Sequence, residues 1–181
     1  MSGSFKTEQE AFWAGEFGSE YSHRSVGRDL LAANCALFST IISRTANVRS
    51  IIEFGANIGL SLRALATLLP EVELAAVEVN SAAAAALREW GRPQVFESSI
   101  LEFTPCRTWD LVLTKGLLIH IDPAYLDTVY ETLHESAARY LVIVEYYNPT
   151  PVAVTYHGSS GQLFKRDFAG EMLDRFPSLT L

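Results

Sequence analysis

From residue 49 onward, short continuous apolar runs alternate with longer segments whose apolar residues recur every third or fourth position. "RSIIEF" is a β-branched run that stops at Gly55 and predicts a first strand. "LSLRALATLL" puts Leu62, Leu65 and Leu69 on one face, a helix that Pro70 ends. "VELAAVEV" predicts a second strand. "SAAAAALREW" predicts a helix capped by Asn80 or Ser81 and followed by Gly91. "QVFE" and "WDLVLT" read as a third and a fourth strand. "IDPAYLDTVYETLHESA" begins a helix with Asp122 as cap and Pro123 in its first turn; Leu126, Val129, Tyr130 and Leu133 form its apolar stripe. "RYLVIVEYY" is a fifth strand, apolar enough through its middle to be buried on both faces. Before all of these lie an aromatic-rich stretch, "FKTEQEAFWAGEFGSEY", and "GRDLLAANCALFSTIISRT", both of helical character. After them, "HGSSGQLFKRDFAGEMLDRF" predicts a flexible tip from Gly158 to Gly161 and then a helix with Lys165 and Arg166 near its start.

Strands and helices in this alternation predict a mostly parallel sheet with helices on both faces. Right-handed crossovers bring the carboxyl ends of such strands to one edge, where open α/β sheets bind ligands. Polar residues fall at those ends: Glu53 to Gly55, Glu78, Ser98-Ser99, Thr114-Lys115 and Glu145 to Tyr147. The chain of 181 residues reads as a single domain, with 1–47 as a helical lead-in covering a ligand and 48–181 as the core.

Composition narrows the function. A formal net charge of −7 argues against non-specific binding to nucleic acid or an anionic membrane. No apolar run reaches the ~20 residues of a membrane span, and the start of the chain lacks the pattern of a signal peptide. Cys35 and Cys106 form no CxxC pair, and no His/Cys cluster has zinc-ligand spacing, so no metal is expected. Two free thiols in a reducing cytoplasm are the expectation.

The stretch "IIEFGANIG" breaks the most strand-like run with two glycines. Glycine there allows a sharp turn and close approach to a ligand. Asn57, between them, is the non-glycine residue type that best tolerates left-handed backbone. Glu78 closes the second strand roughly twenty residues on, where a carboxylate can accept ribose hydroxyls. A dinucleotide fingerprint would require glycines at positions 57 and 60, which are Asn57 and Leu60, so a nicotinamide-dependent reductase is disfavoured. An acid two residues before the first glycine suits S-adenosylmethionine (SAM). A purely structural turn in another α/β fold is the alternative.

The chain resembles the class I SAM-dependent methyltransferases over roughly residues 48 to 147. "IIEFGANIG" is similar to that family's first motif, "AAVEVN" to its second, "ESSILEF" to its adenine-contact region and "WDLVLTKGLLIHI" to its fourth-strand motif. More narrowly, "KTEQEAFWAGEFGSEY", "LTKGLLIHI", "YYNPTPV" and "LFKRDFAGEML" resemble the bacterial pseudaminic acid biosynthesis-associated methylases. The resemblance implies a Rossmann-like fold, SAM as cofactor and S-adenosylhomocysteine (SAH) as product. It also implies that Glu53, Gly55, Ala56, Asn57 and Gly59 line the methionine and ribose part of the cofactor. Glu78 would hold the ribose, Val79 and Ile100 flank the adenine, and Ser99 lie near its amino group. Thr114 and Lys115 would close the floor near the sulfonium; Trp13, Tyr21 and Arg24 would cover the cofactor, Arg24 pairing with its carboxylate. Relatives often carry Asp at the position of Ser99, and the antiparallel strand hairpin that normally follows a helix after the fifth strand is apparently missing here. Its absence would leave a sheet edge uncovered and open to self-association.

Transfer of a methyl group to a hydroxyl gains from a base, and His120, just past the fourth strand, is the candidate. Ordering its own loop is the alternative role; His157 is a second histidine placed to enter the site. Tyr146, Tyr147 and Asn148, at the end of the fifth strand, are candidate substrate contacts. Lys165 and Arg166, unfavourable at a helix start, give a reason for an anionic ligand such as a sugar acid; pairing with Asp167 or Glu171 would explain them without one. The reading is therefore a small-molecule methyltransferase acting on an oxygen of a sugar or nonulosonic (pseudaminic-type) acid. The alternative is a non-catalytic SAM-binding module or partner subunit.

Overall fold

The structure is a computed structural model that describes residues 5–24, 27–156 and 158–181; the side chains of residues 23, 24, 159 and 160 are not among those described. Three helices come first: α1 (Glu8–Ala14), α2 (Glu16–Arg24) and α3 (Arg28–Ile42). Then β1 (Ser50–Phe54), α4 (Leu60–Leu68), β2 (Glu73–Glu78), α5 (Ser81–Trp90), β3 (Gln94–Glu97) and β4 (Trp109–Lys115) follow in turn. Two single-turn 3₁₀ segments, Leu118–His120 and Pro123–Tyr125, lead into α6 (Leu126–Ser136) and β5 (Ala137–Val144). The described chain closes with β6 (Val152–Tyr156), β7 (Ser159–Lys165) and α7 (Phe168–Arg175).

The five main strands pair in the order β3-β2-β1-β4-β5, all parallel. Neighbouring strand residues alternate between two cores, as a pleated strand buried on both faces must. Ile51, Leu111 and Leu113 face Phe38 of α3, Leu62 and Leu65 of α4, and Leu87 of α5. Ile52 and Val112 face Leu126, Val129 and Leu133 of α6 and Phe168 and Met172 of α7. Each fully buried leucine contributes roughly 1.5–3 kcal/mol. The two cores fix the register of β1 and β4, and with it the height at which their polar ends emerge. Asn80 caps α5 by accepting from the Ala82 and Ala83 amides, and Gly91 ends that helix in left-handed conformation at φ 74°.

Three expectations change. β5 is the sheet edge, paired only with β4, so its residues 140–144 are half-buried instead of enclosed on both faces. Among the described residues no antiparallel strand extends the sheet beyond it. A hairpin does form, but before α7 and as a sheet of its own. Residues 152–156 and 159–165 pair antiparallel as β6 and β7, with Val154 opposite Leu163, where the sequence predicts a flexible tip at 158–161 and then a helix. Finally, Lys165 ends β7 and Arg166 precedes the helix; the cap of α7 is Asp167, which accepts from Gly170 N.

Candidate functional site

The carboxyl ends of β1, β2, β4 and β5 open into one cavity of about 670 Å³, roofed by α1, α2 and the β6–β7 hairpin. The glycine turn forms its floor. Gly55 (φ 70°), Asn57 (φ 49°) and Gly59 (φ 80°) are all left-handed, which only Gly and a few polar residues adopt readily. Gly55 is also tight: a Cβ there would lie 2.9 Å from Leu117 Cδ1. Ser22 in α2 donates to Asn57 Oδ1 at 2.6 Å, so the roof is fastened to the turn.

Glu78 ends β2 and is buried. Its Oε2 accepts from Asn57 N at 2.7 Å and its Oε1 from Asn80 N at 2.8 Å. Burial raises its pKa, and these amide bonds offset that rise only in part. The carboxylate is therefore held in one orientation at the lip of the cavity. Glu53, in β1, is more deeply enclosed. Burial pushes its carboxyl up to about 8 against the opposing pull of the Ser61 hydroxyl and Lys115, and its Oε2 has no protein partner among the described residues.

At the other end, His120 closes the first 3₁₀ turn and is 8% exposed. Its Nδ1 lies 2.6 Å from the carbonyl oxygen of Gln162 in β7. A carbonyl only accepts, so Nδ1 carries the hydrogen and Nε2 holds the lone pair. Burial lowers the imidazole pKa to about 4, outweighing the Gln162 carbonyl, and the ring is neutral at physiological pH. Glu145, just past β5, fixes the turn that bears His120: its Oε1 accepts from Leu117 N and Leu118 N, each at 3.0 Å. Burial raises that carboxyl to about 7 despite these bonds. Trp13 packs on the imidazole at 4.5 Å between centroids, and Tyr156 of β6 at 5.1 Å.

Most residues expected from sequence meet at this cavity. Glu53, Gly55, Ala56, Asn57, Glu78 and Val79 line one stretch of it, and Ser99, Ile100 and Lys115 another. Trp13, Tyr21, His120 and Tyr146 line the rest. Ser99 Oγ accepts from Leu101 N at 3.0 Å, so its hydroxyl also shapes its own loop. Others fall elsewhere. Thr114 is fully buried behind the strand ends, and Gly59 sits under α4 against Leu87. Tyr147 and Asn148 are not on the cavity wall. Lys165 lies over the Tyr146 ring at 5.3 Å, and Arg166 pairs with Glu171 at 2.8 Å. Neither cation is among the residues that line the cavity. The side chain of Arg24, and His157, lie outside the described residues. Sequence reasoning gave Asn80 only a capping role, placed Glu145 only among the polar strand ends, and gave Tyr156 and Gln162 no role. An acid directly after the apolar run of β5 was the available signal for Glu145; the hairpin residues had none.

Comparison with solved structures identifies the architecture. The DhpI–SAM–HEP complex matches at a TM-score of 0.64 with 20% identity, over 93% of this chain and 86% of that one. The chain has the Rossmann-like fold of the class I methyltransferases. The plantazolicin methyltransferase BpumL bound to SAH matches at 0.56 with 15% identity, over 77% of this chain. Coclaurine N-methyltransferase, bound to N-methylheliamine and SAH, matches at 0.64 with 15% identity, over 81% of this chain. The chain spans 57% of the length of BpumL and 48% of that of the coclaurine enzyme. No family model matches the sequence, and no curated protein matches it. Among the described residues, no helix is long and apolar enough to cross a membrane.

Proposed function

We propose that the chain is a SAM-dependent methyltransferase acting on a small molecule, with SAH as product. The observation that carries this reading is the Glu78 carboxylate, oriented by the amides of Asn57 and Asn80 at the mouth of the strand-end cavity. Each of its oxygens accepts one amide and keeps a further acceptor lobe, which fits a pair of ribose hydroxyls. Val79 and Ile100 offer apolar surface for a base, and the side-chain-free backbone of Gly55 leaves room beside Leu117. A cavity of about 670 Å³ falls in the range of cofactor sites.

When bound, the cofactor supplies an electrophilic methyl group on a sulfonium sulfur. The residues of this chain do the rest. His120 takes the proton of an acceptor hydroxyl at Nε2, while Gln162 O keeps Nδ1–H in place and favours that tautomer. Trp13 and Tyr156 exclude water from the imidazole, and Glu145 holds its turn. Calorimetry with SAH on the full chain and on Glu78→Ala tests the cofactor assignment. Tight binding to the wild type, lost in the variant, is the expected result; no binding to either overturns it.

For the acceptor we propose an oxygen of a sugar or nonulosonic acid, supported by the motif resemblance to the pseudaminic acid-associated methylases. Lys115 is the lysine or arginine that lines the cavity among the described residues, so it is the group to meet an acid. Product assays across neutral sugars, sugar acids and nucleotide sugars test this. We also propose a cytoplasmic location and the 1–47 lead-in as cofactor cover. The second reading, a SAM-binding partner subunit without catalysis, is favoured by the half-exposed edge strand β5. It predicts SAH binding without turnover and association through that edge, whereas sedimentation as a stable monomer counts against it.

A further inference from the structure

Asn80 bonds to three parts of the site at once. Its backbone N–H donates to Glu78 Oε1 at 2.8 Å. Its side-chain Oδ1 caps α5 by accepting from Ala82 N and Ala83 N, both at 3.1 Å. Its Nδ2 reaches the carbonyl end of α1: Trp13 O at 3.1 Å, Gly15 O at 3.2 Å, Ala14 O at 3.3 Å, with Ser19 Oγ at 3.2 Å. The amide orientation is unambiguous, because oxygen faces two N–H donors and nitrogen faces three carbonyls. The last carbonyls of a helix lack intrahelical partners and carry partial negative charge, so a buried carboxamide is a fitting cap delivered from another element.

Gly18 in α2 makes the approach possible. A Cβ on it would lie 1.8 Å from Trp13 O and 3.0 Å from Asn80 Nδ2. The helix so held carries Trp13, whose ring rests on His120, and Glu10, whose carboxylate caps the start of α1. The remaining ties of this segment run to the walls: Gln9 Nε2 to Gly161 O at 2.7 Å, and Lys6 Nζ to Leu101 O at 3.1 Å. Of the residues that tie down α1 here, Asn80 is also bonded to the Glu78 carboxylate; Asn57, which takes Ser22 of α2, holds the carboxylate's other oxygen.

We propose that Asn80 is a positioning residue that couples the carboxylate at the ribose end of the cavity to the roof helix, holding Trp13 over His120. The proposal rests on the reading that the cavity takes SAM and SAH. Occupancy at Glu78 then steadies α1, and a firm α1 slows escape of the ligand. Asn80→Ser separates this from a structural role. Serine caps α5 about as well as asparagine and keeps the backbone bond to Glu78, but it has no amide to give the α1 carbonyls.

Stopped-flow and equilibrium binding of SAH to the full chain, with hydrogen exchange, supply the test. SAH leaves Asn80→Ser about tenfold faster than wild type, as expected for losing a buried hydrogen-bond donor, while the ligand-free chain still melts in one cooperative transition, at a temperature lowered by a few degrees because the α1 carbonyls lose the same donor there. In the wild type, SAH slows exchange of the α1 amides. Release from Asn80→Ser at the wild-type rate overturns the proposal. So does α1 exchange that SAH leaves unchanged in the wild type, a measurement that holds even if the variant does not fold. A wild-type chain that binds no SAH defeats the cofactor reading itself, which sets that failure apart from failure of the coupling alone.

Discussion

The two ends of the cavity are built differently. The Glu78 end is made from neighbours in sequence: the turn from Gly55 to Gly59, the end of β2 twenty-odd residues later, and the Ser98–Leu101 loop beside it. Backbone does most of the work, through left-handed residues and amides aimed at a carboxylate. The His120 end is made from side chains brought together over long separations: Trp13, His120, Glu145, Tyr156 and the carbonyl of Gln162. A backbone site follows from a local motif and serves a ligand part common to many proteins. A side-chain site depends on how loops and helices pack over the sheet, and that is where the proposed function puts acceptor choice and proton transfer.

The largest expected effect falls on the side-chain end. His120→Ala lowers kcat by about 10²–10⁴-fold if the imidazole takes the acceptor's proton. SAH affinity is expected to stay near wild type, because His120 bonds to Gln162 O and not to Glu78 or to the amides that hold it. Because burial holds the imidazole near 4, kcat/KM of the wild type rises with pH through that region as Nε2 loses its proton, then levels toward neutrality. Single-turnover kinetics across pH checks both points. A drop confined to KM, or none, leaves His120 a structural residue.

Next comes the backbone end. Glu78→Ala strips the acceptor from two amides, Asn57 N and Asn80 N, as well as from a ligand. The two amides lose their acceptor with or without ligand and cost stability, whereas the ribose hydroxyls lose theirs only on binding; at about 1–3 kcal/mol for each buried donor left unpaired, SAH binding weakens by roughly 100-fold or more. Calorimetry measures it. The contrast with His120→Ala is the point: one variant loses binding, the other loses turnover.

A smaller effect distinguishes two glycines. Gly55→Ala meets both a left-handed backbone and Leu117 at 2.9 Å, whereas Gly116, also left-handed at φ 67°, has nothing within 4 Å of the added Cβ. The backbone term alone costs roughly 1–2 kcal/mol. Urea melts are expected to show about that loss for Gly116→Ala and about 1 kcal/mol more for Gly55→Ala. Equal losses would mean that Leu117 moves aside freely.

The same contrast explains what the sequence revealed. Gly55, Asn57 and Glu78 were legible because their conformations and spacing are local. The parallel sheet with helices on both faces followed from the alternation, and the ends of α5 from Asn80 and Gly91, whereas Asp122 and Pro123 open the 3₁₀ turn that precedes α6. The burial of β5 was overestimated because an apolar run does not say whether a strand is central or at an edge. The hairpin was hidden because "VAVTY" follows two prolines and "SSGQLFK" begins with the serines and glycine that suggested a flexible tip. Without the hairpin, the Gln162 carbonyl that fixes the His120 tautomer had no address. Lys165 and Arg166 suggested an anion because they were assigned to a helix start; one ends a strand beside Tyr146, and the other pairs with Glu171.

The mildest perturbation is pH, and it acts at both ends together. Glu53 and Glu145 are carboxylates raised by burial, to about 8 and about 7. An unfolded chain titrates them near 4.5. Between that value and the folded ones, the native state therefore binds more protons than the unfolded state. These two groups make stability fall as pH rises through this window, by at most about 1.4 kcal/mol per pH unit for each, and their contribution flattens above pH 8 once both are ionised in either state. Glu78, also raised by burial, adds to the fall, while His120, lowered from 6.5 to about 4, opposes it between those two values and is the same in wild type and in a Glu145 variant. Glu145→Gln keeps an oxygen for the Leu117 and Leu118 amides while removing one titration, so it is expected to lessen the slope between pH 5 and 7 and leave a remainder due to Glu53. Urea denaturation at intervals across that range measures the slopes. Identical slopes in the variant and the wild type would mean that Glu145 is solvated when ionised, through water or local opening, and that its hold on the His120 turn is weaker than the two amide bonds imply.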